Sequence, residues 1–548
     1  MRNALVRFGA LLSLAALAAC GSTSADPSAN PPATDDTGGS TEADGGGSKP
    51  NANVKQTVAI ESGEIIGEEE DGGLIAFRGI PYAAPPIGDL RWKPPAPVAA
   101  WSVPRDTKAY ASPCLQQSGS GSEDCLYLNV WAHKGSHAPR PVLLFIHGGG
   151  FIEGASSEAF YAGEQLAIDT GAVVVSINYR LGALGFLALP QLQNEVANNA
   201  TGTYGLLDQI AALDWVQKNI GVLGGDSTKV LIFGESAGGS SVLALLASPL
   251  AKGKFAAAVQ QSGPPLIFPF LNEKSPEGDD SAFNAGILFA ASAGCGGVAD
   301  PIACIRALPA AKVHDAQVAV SQQTTHLLPL SRFIPSVDGV VLPKRPLEAL
   351  ADGTANDVPT IFGANEDEGV SFLQTLPPKD DETFVRALYE AKFTKAVGDQ
   401  IYDLYAAEGS SHARLVEFVG DFIFNCPIES LARAGAGGQP TYLYTFGRGY
   451  SSGAYANRGA LHGVELFYLF SSFDALLYTP KEDDLAFAKS MKTAWLSLVE
   501  KGAPTFEPAW PAYTTATHTQ MELNIPSTAS PVYRKGRCDV LRSLNLLK

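Results

Sequence analysis

The stretch KVLIFGESAGG, residues 229 to 239, constrains the fold more than any other in the chain. The apolar run Val230–Phe233 leads directly into Gly234, a single polar Ser236, and then Gly238 and Gly239. A solvated turn would explain the polarity but has no use for glycines on both sides. Positions without a Cβ are needed where the chain turns under strain or where two backbones approach closely. Downstream, SSVLALLAS can continue as a helix. The segment therefore predicts a buried strand, a sharp turn and a helix, with a hydroxyl exposed at the turn. Gly234-Glu235-Ser236-Ala237-Gly238 fits the G-x-S-x-G nucleophile elbow in the context that motif requires. The helix N-terminus beside the hydroxyl favours negative charge as it develops.

A second apolar strand, VLLFI, ends in His147-Gly148-Gly149-Gly150. Three glycines let backbone N–H groups converge on one oxygen without obstruction, as in HGGG-type loops. Gly149 and Gly150, together with the amide of Ala237, are the expected oxyanion hole. A tight glycine-rich turn is the plainer reading, and it does not account for both motifs occurring in this order.

A serine hydroxyl is a weak nucleophile at neutral pH, so a base has to take its proton and an acid has to orient the base. Eight histidines are available. His133 and His137 lie in the polar stretch AHKGSHAPR, and His147 belongs to the glycine loop. His314, His326, His412 and His518 have no flanking glycine. His462 sits in GALHGVEL between Gly459 and Gly463, where small neighbours leave room for an imidazole to face a pocket. A packed core histidine is an equal reading of the same residues. The order Ser, acid, His of this kind of site puts the acid between 236 and 462. TIFGANEDEG supplies a strand followed by Glu366, Asp367 and Glu368, which spacing does not separate from one another or from a solvated acidic turn.

Composition bounds the rest. With 548 residues, 45% hydrophobic and 17% charged, the chain can bury a large core. Its net charge of -17 leaves no basic surplus to neutralise phosphates, which argues against nucleic acid as a partner. Residues 1–20 carry Arg2 and Arg7 ahead of an apolar run shorter than the roughly 20 residues that span a bilayer, the pattern of an export signal. Its end, LAACG, resembles a bacterial lipobox, so Cys20 is the expected site of lipid attachment and the only expected link to a membrane. Residues 21–52 hold almost nothing apolar and read as a flexible tether. Residues 53–548 show no comparable linker and no repeat, and read as one domain. Setting Cys20 aside leaves six cysteines, enough for three bridges in an oxidising compartment. Locality suggests Cys114 with Cys125 and Cys295 with Cys304, leaving Cys426 with Cys538, although six cysteines allow fifteen pairings. No cysteine or histidine pair has metal-ligand spacing, so no metal centre is expected.

The stretches FRGIPYAAPPIGDLRWKPP, SEDCLYLNVW, IHGGGF, INYRLGALGF, GLLDQIAALDWVQKNI, FGESAGGSS, FIPSVDG, GANEDEG, LHGVELFYLF and GDFIFNCP carry a resemblance from about residue 55 to Cys538. Together they resemble a type B carboxylesterase of the cholinesterase family. The resemblance implies an α/β-hydrolase fold, with a central, mostly parallel, twisted sheet flanked by helices. It places the acid on Glu368 and the base on His462, and pairs the six cysteines as locality suggests. Glu235 corresponds to a residue lining the site beside the nucleophile, in a lesser role. No cofactor is implied, the partner is a small-molecule ester, and oligomeric state is left open.

Departures bear on substrate. In cholinesterases the loop closed by the first disulfide is longer and carries a tryptophan that binds the quaternary ammonium of choline. Here CLQQSGSGSEDC is short and holds no aromatic residue, which disfavours choline esters. The segment resembling the acyl pocket offers Leu327, Leu328, Pro329 and Ser331 before Phe333, leaving room for medium or bulky acyl groups. The implied activity is a serine carboxylesterase acting through an acyl-enzyme, falling in acid as an imidazole of ordinary pKa near 6.5 becomes protonated. A lipase or polyester hydrolase would use the same groups on an interfacial substrate. Non-catalytic binding relatives lack the serine or the histidine, whereas this chain keeps both.

Overall fold

A computed structural model describes residues 52–195, 199–273, 281–321, 331–373 and 381–547. The expected signal, Cys20, nearly all of the tether, His326 and the acyl-pocket residues Leu327, Leu328 and Pro329 lie outside them. An eleven-stranded sheet forms the centre. Its strands in chain order are β1 (Glu68–Glu70), β2 (Leu74–Pro81), β3 (Tyr127–His133), β4 (Arg140–Ile146), β5 (Val173–Ile177) and β6 (Gly225–Glu235). They continue with β7 (Ala257–Gln261), β8 (Thr360–Asn365), β9 (Thr441–Phe446), β10 (Thr519–Leu523) and β11 (Thr528–Pro531). The spatial order is β1-β2-β3-β5-β4-β6-β7-β8-β9-β10-β11. Every pairing from β5 through β10 is parallel, and the pairings toward both edges are antiparallel.

Parallel strands covered on both faces read as unbroken apolar runs, because neither face meets water. β4 and β6 obey that rule: Val142–Ile146 and Val230–Phe233 are wholly buried. Their side chains alternate between two layers. Leu144, Ile146 and Ile232 face one core with helices α1 (Tyr204–Asn219) and α2 (Ala237–Ala247). Leu143, Phe145, Leu231 and Phe233 face the other, which is closed by Met491, Trp495 and Leu498 of the long helix Glu482–Lys501. Helices thus sandwich the sheet, and each buried aliphatic or aromatic side chain contributes about 1.5–3 kcal/mol.

Three disulfides join Cys114 to Cys125, Cys295 to Cys304 and Cys426 to Cys538, the pairing locality suggests. The last spans 112 residues and ties the helix Cys426–Gly435 to the C-terminal helix Lys535–Ser543. β4, β6 and β8 run parallel and end at Ile146, Glu235 and Asn365, so the residues just past their ends collect at one edge of the sheet. Ligand sites of open parallel sheets form at that carboxyl edge.

Candidate active site

Ser236 occupies the turn between β6 and α2 with φ 56° and ψ -120°. A non-glycine residue enters such a conformation at a cost of about 1–3 kcal/mol, and only where its surroundings hold it. The Ser236 N–H donates to the Gln261 carbonyl at the end of β7 (2.9 Å). A Cβ on Gly234 would stand 2.6 Å from the Gly238 carbonyl, and one on Gly238 would collide with the Ile146 carbonyl oxygen. The glycines are therefore required by the close approach of α2 to β4 and β6. Ser236 is partly exposed between buried Glu235 and Ala237, and Ala237 opens α2.

The glycine loop after β4 lies against this turn. A Cβ on Gly148 would come within 3.1 Å of the Ser236 Cβ. Gly149 and Gly150 have φ of 102° and 61°, values that suit residues without a Cβ, and a Cβ on Gly149 would collide with the Glu153 carbonyl. Burial holds the His147 imidazole down at about 4, so it is neutral at pH 7.

Of the three acids after β8, Glu368 alone reaches a histidine among the described residues. Its Oε2 is 2.5 Å from His462 Nδ1, and its Oε1 accepts from the Asn365 N–H at 2.8 Å. Glu368 opens the helix Glu368–Leu373 and is fully buried. Asp367 instead accepts from the Ala460 N–H (2.7 Å), and Glu366 lies beside Tyr533. The His462 N–H donates to Ser371 Oγ (3.2 Å), while the rings of Phe372 and Phe424 pack on the imidazole at 5.0 and 4.9 Å between centroids. Phe424 belongs to a π-helical turn, Asp421–Asn425, of the kind that often marks functional positions.

His462 Nε2 faces Glu235 Oε1 at 3.1 Å. Both atoms are buried and, among the described residues, neither has a hydrogen-bond partner, so the imidazole is not bonded to the Ser236 hydroxyl in this arrangement. Burial alone would lower the imidazole pKa, but Glu235 and Glu368 outweigh it and raise it to about 9. Burial likewise drives the Glu235 carboxyl upward, opposed by His462. A further carboxylate, Glu465, escapes a reading of the sequence. It is fully buried behind the pair and accepts from Asn365 Nδ2 (2.6 Å) and Gln261 Nε2 (3.1 Å). Its one visible signal is an acid within the apolar run VELFYLF.

Other histidines serve the scaffold. His314 Nε2 meets the Gln117 carbonyl at 2.7 Å, His133 Nε2 the Ala172 carbonyl at 3.1 Å, and His518 Nδ1 the Tyr513 hydroxyl at 3.0 Å. Ser331 and Phe333 are buried, and Phe333 packs on Phe289 in the core. Among the described residues, no cluster of three or more His, Cys, Asp or Glu is arranged to hold a metal ion.

An elbow serine, a glycine loop and a carboxylate-held imidazole at one sheet edge invite comparison with known proteins. Residues 54–541 match the carboxylesterase family. The chain is 37% identical over 469 residues to a fumonisin B1 esterase of Sphingopyxis macrogoltabida, covering 81% of this chain and 82% of that protein. It is 33% identical over 480 residues to a para-nitrobenzyl esterase of Bacillus subtilis (strain 168), covering 84% and 92%. The solved structure of a PNB esterase superposes with a TM-score of 0.77 at 31% identity, covering 89% of this chain and 99% of that one. With both sequence and fold shared over most of its length, the chain belongs to the carboxylesterase family and is a carboxylic ester hydrolase.

Proposed function

We propose that Ser236, His462 and Glu368 form the catalytic triad of this serine esterase, acting through an acyl-enzyme. His462 Nε2 takes the proton of the Ser236 hydroxyl as the oxygen attacks the ester carbonyl. Glu368, held by the Asn365 amide, keeps the imidazole in orientation and stabilises its charged form. The amides of Gly149, Gly150 and Ala237 receive the oxyanion. His462 then protonates the leaving alcohol, and water repeats the cycle on the acyl-enzyme. The 2.5 Å contact between Glu368 and His462 beside the strained serine carries this reading. His462 Nε2 faces Glu235 at 3.1 Å, so on this reading the ring or the hydroxyl shifts as substrate enters. A fluorophosphonate probe labels the wild type on Ser236 and leaves Ser236→Ala unlabelled and inactive; an active Ser236→Ala would refute the assignment.

Medium or bulky acyl esters are the substrates we favour. Supporting this, the segment resembling the acyl pocket holds Leu327, Leu328, Pro329 and Ser331 ahead of a single aromatic residue, Phe333. A series of p-nitrophenyl esters of increasing acyl length tests it: kcat/KM peaking at acetyl contradicts the reading. Export with lipid attachment at Cys20 rests on Arg2, Arg7, the apolar run and LAACG. Labelled palmitate enters the wild type and is absent from Cys20→Ser on that reading.

A further inference from the structure

The glycine loop after β4 is held by a side chain that belongs to neither glycine motif. A peptide unit is planar and trans, so fixing the direction of a carbonyl turns the N–H of the next residue the opposite way. The Gly148 carbonyl accepts from His147 Nδ1 at 2.8 Å, which directs the Gly149 N–H away from that ring. The Gly149 carbonyl accepts from the N–H groups of Ile152 (3.1 Å) and Glu153 (3.0 Å), which directs the Gly150 N–H away from them. The aim of the Gly150 donor therefore depends directly on where residues 152–154 sit.

Gln116, on the loop closed by Cys114 and Cys125, pins that segment. The Gly154 N–H donates to Gln116 Oε1 at 2.7 Å, while Gln116 Nε2 donates to the Gly154 carbonyl at 3.1 Å and to the Cys114 carbonyl at 2.6 Å. The carboxamide thus pairs with both backbone groups of Gly154 as a neighbouring strand would. Next in the chain, the Gln117 N–H donates to the Ile152 carbonyl at 2.8 Å. Gly154 has φ 97°, and a Cβ there would collide with the Gly148 carbonyl and stand 2.6 Å from His147 Nδ1. Its backbone therefore lies directly on the two groups that aim the Gly149 N–H.

We propose that Gln116 is a positioning residue for the Gly149 and Gly150 amides, and that the first disulfide loop splints the oxyanion hole from outside. The inference rests on reading those amides as donors to the reacting oxygen. Losing one such donor costs about a hundredfold to a thousandfold, and a loosened donor costs less.

The test compares wild type, Gln116→Met, which keeps the shape without the hydrogen bonds, and Gln116→Ala. Active sites are titrated with a fluorophosphonate, so kcat is read per folded site and a partly folded preparation does not obscure it. The expected result is kcat lowered roughly tenfold to a hundredfold with KM within about twofold. A trifluoromethyl ketone, whose hemiketal oxygen occupies the hole, should weaken by the same factor. Per-site kcat and ketone affinity within twofold of wild type in both variants would overturn the proposal, as would a lower kcat accompanied by a lower melting temperature with ketone affinity unchanged. Hydrolysis surviving in Ser236→Ala would instead overturn the reading of the site itself.

Discussion

Glu235 Oε1 stands 3.1 Å from His462 Nε2, so the imidazole edge that a serine hydroxyl needs is faced by a buried carboxylate. Glu368 holds the opposite edge at 2.5 Å, and Glu465 lies behind. One imidazole is thereby enclosed by three acids, whose charge favours its protonated form.

That enclosure sets the pH profile. Burial works against the charged imidazole, but Glu235 and Glu368 raise its pKa to about 9, above the 6.5 of a free histidine. As the proposed base, His462 functions only when unprotonated, so activity is expected to be low below the raised pKa and to climb through it. The acid limb of kcat/KM is expected above pH 6.5. Glu235→Gln removes one negative charge, makes the imidazolium less favourable and moves the limb to lower pH, by on the order of one unit. Rates from pH 5 to 9.5 check this, and a limb that stays in place in the variant contradicts it.

The three adjacent acids are separable by mutation. Glu368→Gln leaves the imidazole without its charged partner and is expected to lower kcat by about 10³ to 10⁴. Asp367→Asn weakens only the bond to the Ala460 N–H, and should retain kcat within about tenfold. Steady-state kinetics on the two variants decide, and the reverse ranking would move the acid to Asp367.

Gly238→Ala introduces a methyl group where the Ile146 carbonyl oxygen already sits. Overpacking of this sort costs about 1–3 kcal/mol, and relief requires α2 to back away from β4. We expect a lower melting temperature together with slower fluorophosphonate labelling of Ser236. Unchanged labelling would mean that the elbow tolerates the shift.

The Cys426–Cys538 bridge closes 112 residues, against 11 and 9 for the other two. Constraint of the unfolded chain grows with loop length, reaching about 4–5 kcal/mol for a loop of this size and about 3 for short ones. Replacing both cysteines with alanine should accelerate thermal inactivation more than removing either short bridge, while kcat at 25 °C stays within about twofold. Inactivation half-lives of the three double variants give the ranking.

The Phe424 ring packs on His462 from a π-helical turn. Phe424 is buried, so Phe424→Ala removes packing from the imidazole and is expected to lower kcat while KM stays within about twofold. A raised KM with normal kcat would instead make Phe424 part of the substrate pocket.

Much of the site is local in the chain, and that part is legible in the sequence. The elbow and the HGGG loop each join a strand to the adjoining segment within about ten residues, and Gly234 and Gly149 answer local contacts with Gly238 and Glu153, whereas Gly238 answers Ile146 from another strand. Uninterrupted apolar runs likewise mark β4 and β6, because strands buried on both faces have no polar side to alternate with. Glu366, Asp367 and Glu368 are a different matter. They are consecutive, and side-chain direction changes with every residue, so only the start of a helix at Glu368 turns one carboxylate inward to His462, 94 positions away. The same holds for Glu235 opposite Nε2, for Glu465 bonded to Gln261 across 204 positions, and for Gln116 clamping Gly154. Each depends on which strand ends the sheet brings together, a relation with no period along the chain, so the sequence determined the turns and the candidate groups they carry while the folded sheet decided which charges surround them.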